Sequence, residues 1–81
     1  MIVYFHRNFS KKYKKLGVKV KEKFIERLKI FLQDEFSLIL NNHPLKGKYQ
    51  SYRSINIAGD LRAIYKKTAK DTAVFVAIDT H

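Results

Sequence analysis

Ile55 to Tyr65 reads I-N-I-A-G-D-L-R-A-I-Y, with an amide, a carboxylate and a guanidinium at even positions. Side chains of a strand alternate between faces with a period of two. Folded as a β-hairpin, this stretch puts Ser54, Asn56, Asp60 and Arg62 on one face, joined by Ile64. Ile55, Ile57, Leu61, Ala63 and Tyr65 make the other face. A guanidinium grips a phosphate through two parallel N–H bonds and keeps its charge at any working pH. An amide donates a hydrogen bond but exchanges no proton. The polar face is therefore suited to holding an oxyanion. A three-residue loop, Ile57-Ala58-Gly59, keeps the faces separate, with Gly59 in a left-handed position. A two-residue loop of Ala58-Gly59 slips the register by one and mixes Arg53, Asp60 and Arg62 with Ile55 and Ile57. The three-residue loop is the expectation.

The elements around this hairpin follow from periodicity. Ile2 to His6 is β-branched and aromatic and reads as a strand, with His6 structural at its end. Asn8 is the expected N-cap of a helix carrying Phe9, Tyr13 and Leu16 at i, i+4 and i+7, with Gly17 closing it at C′. A second helix is expected from about Val18 to Phe36, with Val20, Phe24, Leu28 and Phe31 as its stripe, widened by Ile25 and Leu32. Pro44 disfavours helix at His43 and ends the helical part. Leu45 to Lys48 reads as a loop. Three strands follow, Tyr49–Ile57, Leu61–Lys67 and Thr72–Ile78, with Val74, Val76 and Ile78 alternating against Ala73, Phe75 and Ala77. The order β-α-α-β-β-β predicts one α+β domain over 1–81, a two-helix hairpin packed on a small, mostly antiparallel sheet.

Seventeen Lys and Arg against seven Asp and Glu leave a formal charge of +10. Ten of the basic residues lie between Arg7 and Lys29, opposed only by Glu22 and Glu26. Such a field draws in phosphate backbones or acidic proteins. The plainer alternative is a lysine-rich surface that keeps the chain soluble. There is no cysteine, which excludes a disulfide framework or thiolate zinc site and suits a reducing cytosol. His6, His43 and His81 lack zinc-ligand spacing, so neither metal nor cofactor is expected. M-I-V-Y-F-H-R is too short an apolar run for a signal peptide. No segment approaches the ~20 apolar residues of a membrane span. A cytoplasmic protein with no membrane partner is the expectation.

N-H-P-L-K-G at Asn42–Gly47, the hairpin at Ile55–Tyr65 and I-D-T-H at Ile78–His81 together resemble the YafQ branch of the RelE/ParE toxin superfamily. The resemblance implies the toxin of a bacterial type II toxin–antitoxin pair. It implies a ribosome-dependent endoribonuclease that cuts translated mRNA and is neutralised by a small acidic antitoxin. It carries His43, Asp60, Arg62 and His81 over as catalytic residues, Arg62 as the phosphate binder. Asn56 departs, because the branch has a histidine there. The family also continues past the histidine matched by His81 with a short tail bearing an aromatic residue. Both differences predict a weakened enzyme.

In the implied chemistry the ribose 2′-OH attacks the adjacent phosphorus, so a base, an acid and a cation are needed but no metal. His43 and His81 suit proton transfer, since histidine titrates near neutral pH. Asp60 orients a histidine or serves as a base. Lys11, Lys12, Lys14, Lys15, Lys46, Lys48, Arg53 and Asn56 are the expected RNA contacts. Tyr49 and Tyr52 either stack on bases or pack at the sheet edge. Residue type alone leaves His43 open to an ordinary loop role, and Asp60 with Arg62 to an exposed ion pair worth under ~1 kcal/mol. Two other classes stay open: a ParE-like gyrase inhibitor and a non-catalytic basic RNA-binding module.

Overall fold

The computed structural model describes residues 1–80. β1 (Ile2–Phe5) leads into α1 (Arg7–Lys14) and α2 (Val18–Gln33). β2 (His43–Pro44), β3 (Arg53–Ala58), β4 (Leu61–Ala69) and β5 (Thr72–Thr80) follow. They form one sheet in the order β1-β5-β4-β3-β2. β1 runs parallel to β5, and every other neighbour is antiparallel. A parallel pair needs a long crossover, and the chain between β1 and β5 supplies it. The expected α+β order is present with one addition, β2. Pro44 lacks a donor, and β2 lies at the sheet edge, where a strand tolerates proline.

Local chemistry moved several boundaries. His6, not Asn8, caps α1: its Nδ1 accepts the Asn8 N–H at 3.0 Å. Gly17 does not close α1, whose cap is Lys15; it is the extended N-cap of α2, with φ of −67°. α2 stops at Gln33 rather than Phe36, because the Asp34 carboxylate accepts the Phe36 N–H at 3.1 Å. Such a local bond competes with the helix. The strand expected from Tyr49 begins only at Arg53. Gly47–Tyr49 is a 3-10 turn, and Ser51 has a φ of 80°, which breaks an extended run.

The three-residue hairpin loop is also corrected. Asn56 pairs with Arg62, Ile57 bulges, and Ala58 pairs with Leu61 around Gly59-Asp60. Gly59 keeps the expected positive φ, 53°. Either arrangement places an odd number of residues between the flanking partners, so the polar and apolar faces survive. A second bulge separates the partners of Ile64 and Tyr65, which are Ala77 and Phe75. The extra residue, Val76, reverses the alternation of β5. Ile78 therefore joins Phe75 on the helix side, contrary to the strict alternation expected.

That side holds the core. Ile55, Ala63, Tyr65, Phe75 and Ile78 of the sheet are buried with Phe9, Phe24, Phe31 and Leu40. Phe75 is 0% exposed. Its ring centroid lies 5.9 Å from Phe5 and Phe9, 6.0 Å from Phe24, 5.3 Å from Phe31 and 5.4 Å from Tyr65. These are separations at which tilted and edge-on ring pairs attract beyond their area burial. Phe75→Ala should cost about 3–5 kcal/mol in urea unfolding. A loss below about 1 kcal/mol would mean that the cluster closes without Phe75.

Candidate active site

Cross-strand partners share a face, so the pairings decide what meets on the side away from the helices. His43 lies opposite Ser54, Asn56 opposite Arg62, and Arg62 opposite Asp79. Ser54 and Asn56 are two apart on β3, hence on one side. A cleft of about 240 Å³ opens there, lined by Asn41, His43, Ser54, Asn56, Gly59, Asp60 and Arg62. His43, Asp60, Arg62 and Asn56 thus meet, although the residues from Pro44 to Arg53 separate His43 from the hairpin in sequence. His81 lies outside the described residues.

His43 is exposed at the sheet edge, and its Nδ1 is 2.9 Å from the Asn41 carbonyl oxygen. A carbonyl only accepts, so this bond puts the ring proton on Nδ1 and leaves the Nε2 lone pair available in the neutral form. Asn41 is held left-handed, with φ of 46°. The next residue anchors the segment. Asn42 Nδ2 donates to the Glu35 carbonyl at 3.0 Å and to the Tyr65 hydroxyl at 2.7 Å. Its Oδ1 accepts from Arg53 Nε at 2.7 Å. The Tyr65 hydroxyl donates to Glu35 Oε2 at 2.6 Å, and Lys67 Nζ reaches Glu35 Oε1 at 3.0 Å. Arg53, expected among the RNA contacts, is committed to this network and to the ring of Phe36 at 5.2 Å.

Asn56 is turned into the hairpin, its Nδ2 donating to the Gly59 carbonyl at 3.1 Å. Asp60 is exposed on the turn, and no ion pair links it to Arg62 among the described residues. The Arg62 Nε and the Ser54 Oγ are buried with no hydrogen-bond partner among the described residues. Asp79, opposite Arg62, accepts from Lys12 Nζ at 3.1 Å and from the Thr80 N–H at 2.8 Å. The Lys12 bond first, then the Thr80 bond, holds its carboxyl below the usual carboxylate range. Lys12 is thereby tied to the residue opposite Arg62. Lys11, Lys14, Lys15, Lys46 and Lys48 are exposed and do not line the cleft. No three His, Cys, Asp or Glu side chains gather as metal ligands among the described residues.

Sequence reading passed over Asn41, Ser54 and Asp79 as site residues. Ser54 shares the parity of Asn56 and Arg62, which was the available signal. Asp79 needed the β4–β5 register, and Asn41 needed its left-handed backbone.

No family model matches the sequence, and no curated protein matches it. Solved structures do. A YoeB/ParE toxin from Agrobacterium tumefaciens aligns over 100% of this chain and 99% of its own, with TM-score 0.82 at 18% identity. The YoeB-YefM toxin-antitoxin complex from Staphylococcus aureus contains a chain that aligns over 100% of this one and 97% of its own, with TM-score 0.80 at 20% identity. This chain has the RelE/ParE-type toxin fold. YafQ from E. coli shares it over 98% of this chain and 91% of its own, with TM-score 0.77 at 23% identity. At these identities the likeness is one of fold, and it agrees with the architecture expected from the sequence.

Burial, and then the bond to Glu35, push the Tyr65 phenol well above its ordinary value of 10.0. As pH rises the unfolded chain gives up this proton first. The phenol's contribution to stability is therefore full below about pH 10 and is lost as pH climbs toward the folded value. Tyr65→Phe should cost about 1–3 kcal/mol at neutral pH by leaving Glu35 and Asn42 short of a partner. It should also flatten the loss of stability above pH 10. Chemical unfolding of both proteins across pH 7 to 11 is the check, and equal stability with parallel profiles would contradict it.

Proposed function

We propose that this chain is the toxin of a type II toxin–antitoxin system and a ribosome-dependent endoribonuclease that cuts mRNA. One observation carries the reading. His43, Asp60 and Arg62 share a cleft with two buried polar atoms, Arg62 Nε and Ser54 Oγ, that lack protein partners among the described residues. A buried donor left unmade is costly, and Arg62 turning toward a phosphate in the cleft would give its Nε an acceptor.

The chemistry follows from what each group can do. Arg62 holds the scissile phosphate and stabilises charge as the ribose 2′-oxygen bonds to phosphorus. His43 Nε2, with its lone pair available, takes the 2′ proton. The bond from phosphorus to the 5′ oxygen breaks, and that oxygen takes a proton from a general acid, the role assigned to His81. The fragments are a 2′,3′-cyclic phosphate and a 5′-hydroxyl. Asp60 at the turn orients a histidine. Asn56, bound to its own turn, shapes the cleft without exchanging a proton, which makes the enzyme a weak one. These steps use side chains alone, with neither metal nor cofactor. Lysines across α1 supply long-range attraction to ribosome and mRNA. Their charge also suits an acidic antitoxin, and the Staphylococcus aureus neighbour was solved as a toxin-antitoxin complex. A cytoplasmic setting fits a chain without cysteine, none of whose described helices is long and apolar enough to cross a membrane.

A second reading, a non-catalytic RNA-binding module, is favoured by Asn56 alone. Arg62→Ala tests the first. The side chain lies outside the helix-side core, so the variant should unfold near wild type in urea. Its single-turnover cleavage of ribosome-bound message should fall by ~10²–10³, and growth inhibition on expression should disappear. Full toxicity in the folded variant, or a variant that fails to fold, would overturn this assignment of Arg62. Toxicity through gyrase with the message intact would place the chain with the ParE-like class.

A further inference from the structure

Beyond the cleft, the open face of the sheet carries an aromatic and basic cluster that the proposed chemistry does not use. Lys66 lies two residues past Ile64 and four past Arg62 on β4, so it emerges on the same side. It is exposed, and its Nζ sits 5.5 Å from the centroid of the Tyr52 ring. Tyr52 therefore also lies on the open face. It precedes Ser54, a residue of the cleft, by two positions, about 7 Å along an extended chain. Tyr49 packs edge-on against Tyr52 with centroids 5.9 Å apart at 86°, and Lys48 Nζ is 5.3 Å from the Tyr49 ring. The backbone holds these rings in place. The Tyr52 N–H donates to the Tyr49 carbonyl at 2.9 Å, and the Leu45 N–H donates to the Tyr52 carbonyl at 3.0 Å. Both rings are half-buried.

We propose that Tyr52, Tyr49, Lys66 and Lys48 form a subsite that stacks a nucleobase of single-stranded RNA flanking the bond held in the cleft. The inference rests on the endoribonuclease reading and adds to it a second contact point for the substrate. An exposed ammonium over a phenol ring is a weak contact, and a base stacked on the ring is a stronger one. The incoming base displaces Lys66 from Tyr52, and the freed ammonium is then within reach of the phosphate that follows. Stacking accepts any base, because every base offers a π-face. A sequence-tolerant grip next to the phosphate-binding cleft adds binding without touching the reacting atoms, so it acts on saturation and not on the chemical step.

The test is single-turnover cleavage of ribosome-bound message, with protein concentration varied to separate half-saturation from maximal rate. Tyr52→Leu should raise the half-saturation concentration about 10-fold or more and leave the maximal rate unchanged. Tyr52→Phe, which keeps the ring, should match wild type. Lys66→Gln should lower the salt slope by about 0.7, whereas Tyr52→Leu should not change it. Messages with an abasic site at each nucleotide flanking the cut, one at a time, complete the set. One position should reproduce the Tyr52→Leu defect and add nothing to it. That arm changes only the RNA, so it reads the contact even if Tyr52→Leu fails to fold. If wild type cuts the message and no abasic position weakens saturation, the subsite is overturned while the nuclease stands. If wild type neither binds nor cuts the message, both fall.

Discussion

The packing of Phe75 against rings from β1, both helices and β4 decides which side of the sheet is covered. Once that ring is buried, strand alternation leaves little choice for its neighbours. Ile55, Ala63 and Tyr65 must follow it inward, and Ser54, Asn56 and Arg62 must turn outward. The cleft is thus held in shape largely by residues that never touch it. Two bulges adjust this plan. The one at Ile57 brings the Gly59-Asp60 turn over the cleft, and the one at Val76 keeps Ile78 in the core while Asp79 stays opposite Arg62. Bulges bend a strand and re-aim side chains locally, and here they do so at the two ends of the polar face.

Tyr65 joins the two sides. Its ring belongs to the core, but its hydroxyl meets Glu35 and Asn42, which lie on either side of the segment leading to His43. Buried polar networks rigidify when every member is satisfied and become liabilities when one is lost. The edge strand carrying His43 is only two residues long and has a proline in it, so its own ladder is a weak anchor. The Asn42 side chain, bonded on both its oxygen and its nitrogen, compensates. On the other flank, Lys12 and Asp79 are both exposed. That pair contributes direction more than stability: it ties a helix lysine to the residue opposite Arg62.

The parts of this protein legible in its sequence are those governed by period. Parity alone assigned Asn56, Asp60 and Arg62 to one face and Ile55, Ala63 and Tyr65 to the other. The helical stripes of Phe9, Phe24 and Phe31 were equally plain. The parts that escaped depend on competition between local bonds. Whether His6 or Asn8 caps α1 turns on one imidazole nitrogen. Where α2 stops turns on the Asp34 carboxylate. Arg53 reads as one more basic residue until the fold brings Asn42 and Phe36 to it. Asp79 gains its place beside Arg62 only through a register that a bulge at Val76 sets, and no pattern in β5 marks that bulge. For the site, residue types at His43, Asp60 and Arg62 were visible, but their meeting in one cleft required β2, a strand too short to show in any periodicity.

The central claim is that this cleft holds an RNA phosphate while the neighbouring 2′-oxygen attacks it. The chemical ends of the cut message test it most directly. Purified protein should be added to ribosomes carrying a defined message, and both fragments analysed by mass spectrometry. The account predicts a 2′,3′-cyclic phosphate, or its hydrolysed form, on the upstream fragment and a 5′-hydroxyl on the downstream one. A 3′-hydroxyl paired with a 5′-phosphate would mean that water, not the ribose, is the nucleophile, and would contradict it. So would an intact message at protein concentrations that stop growth.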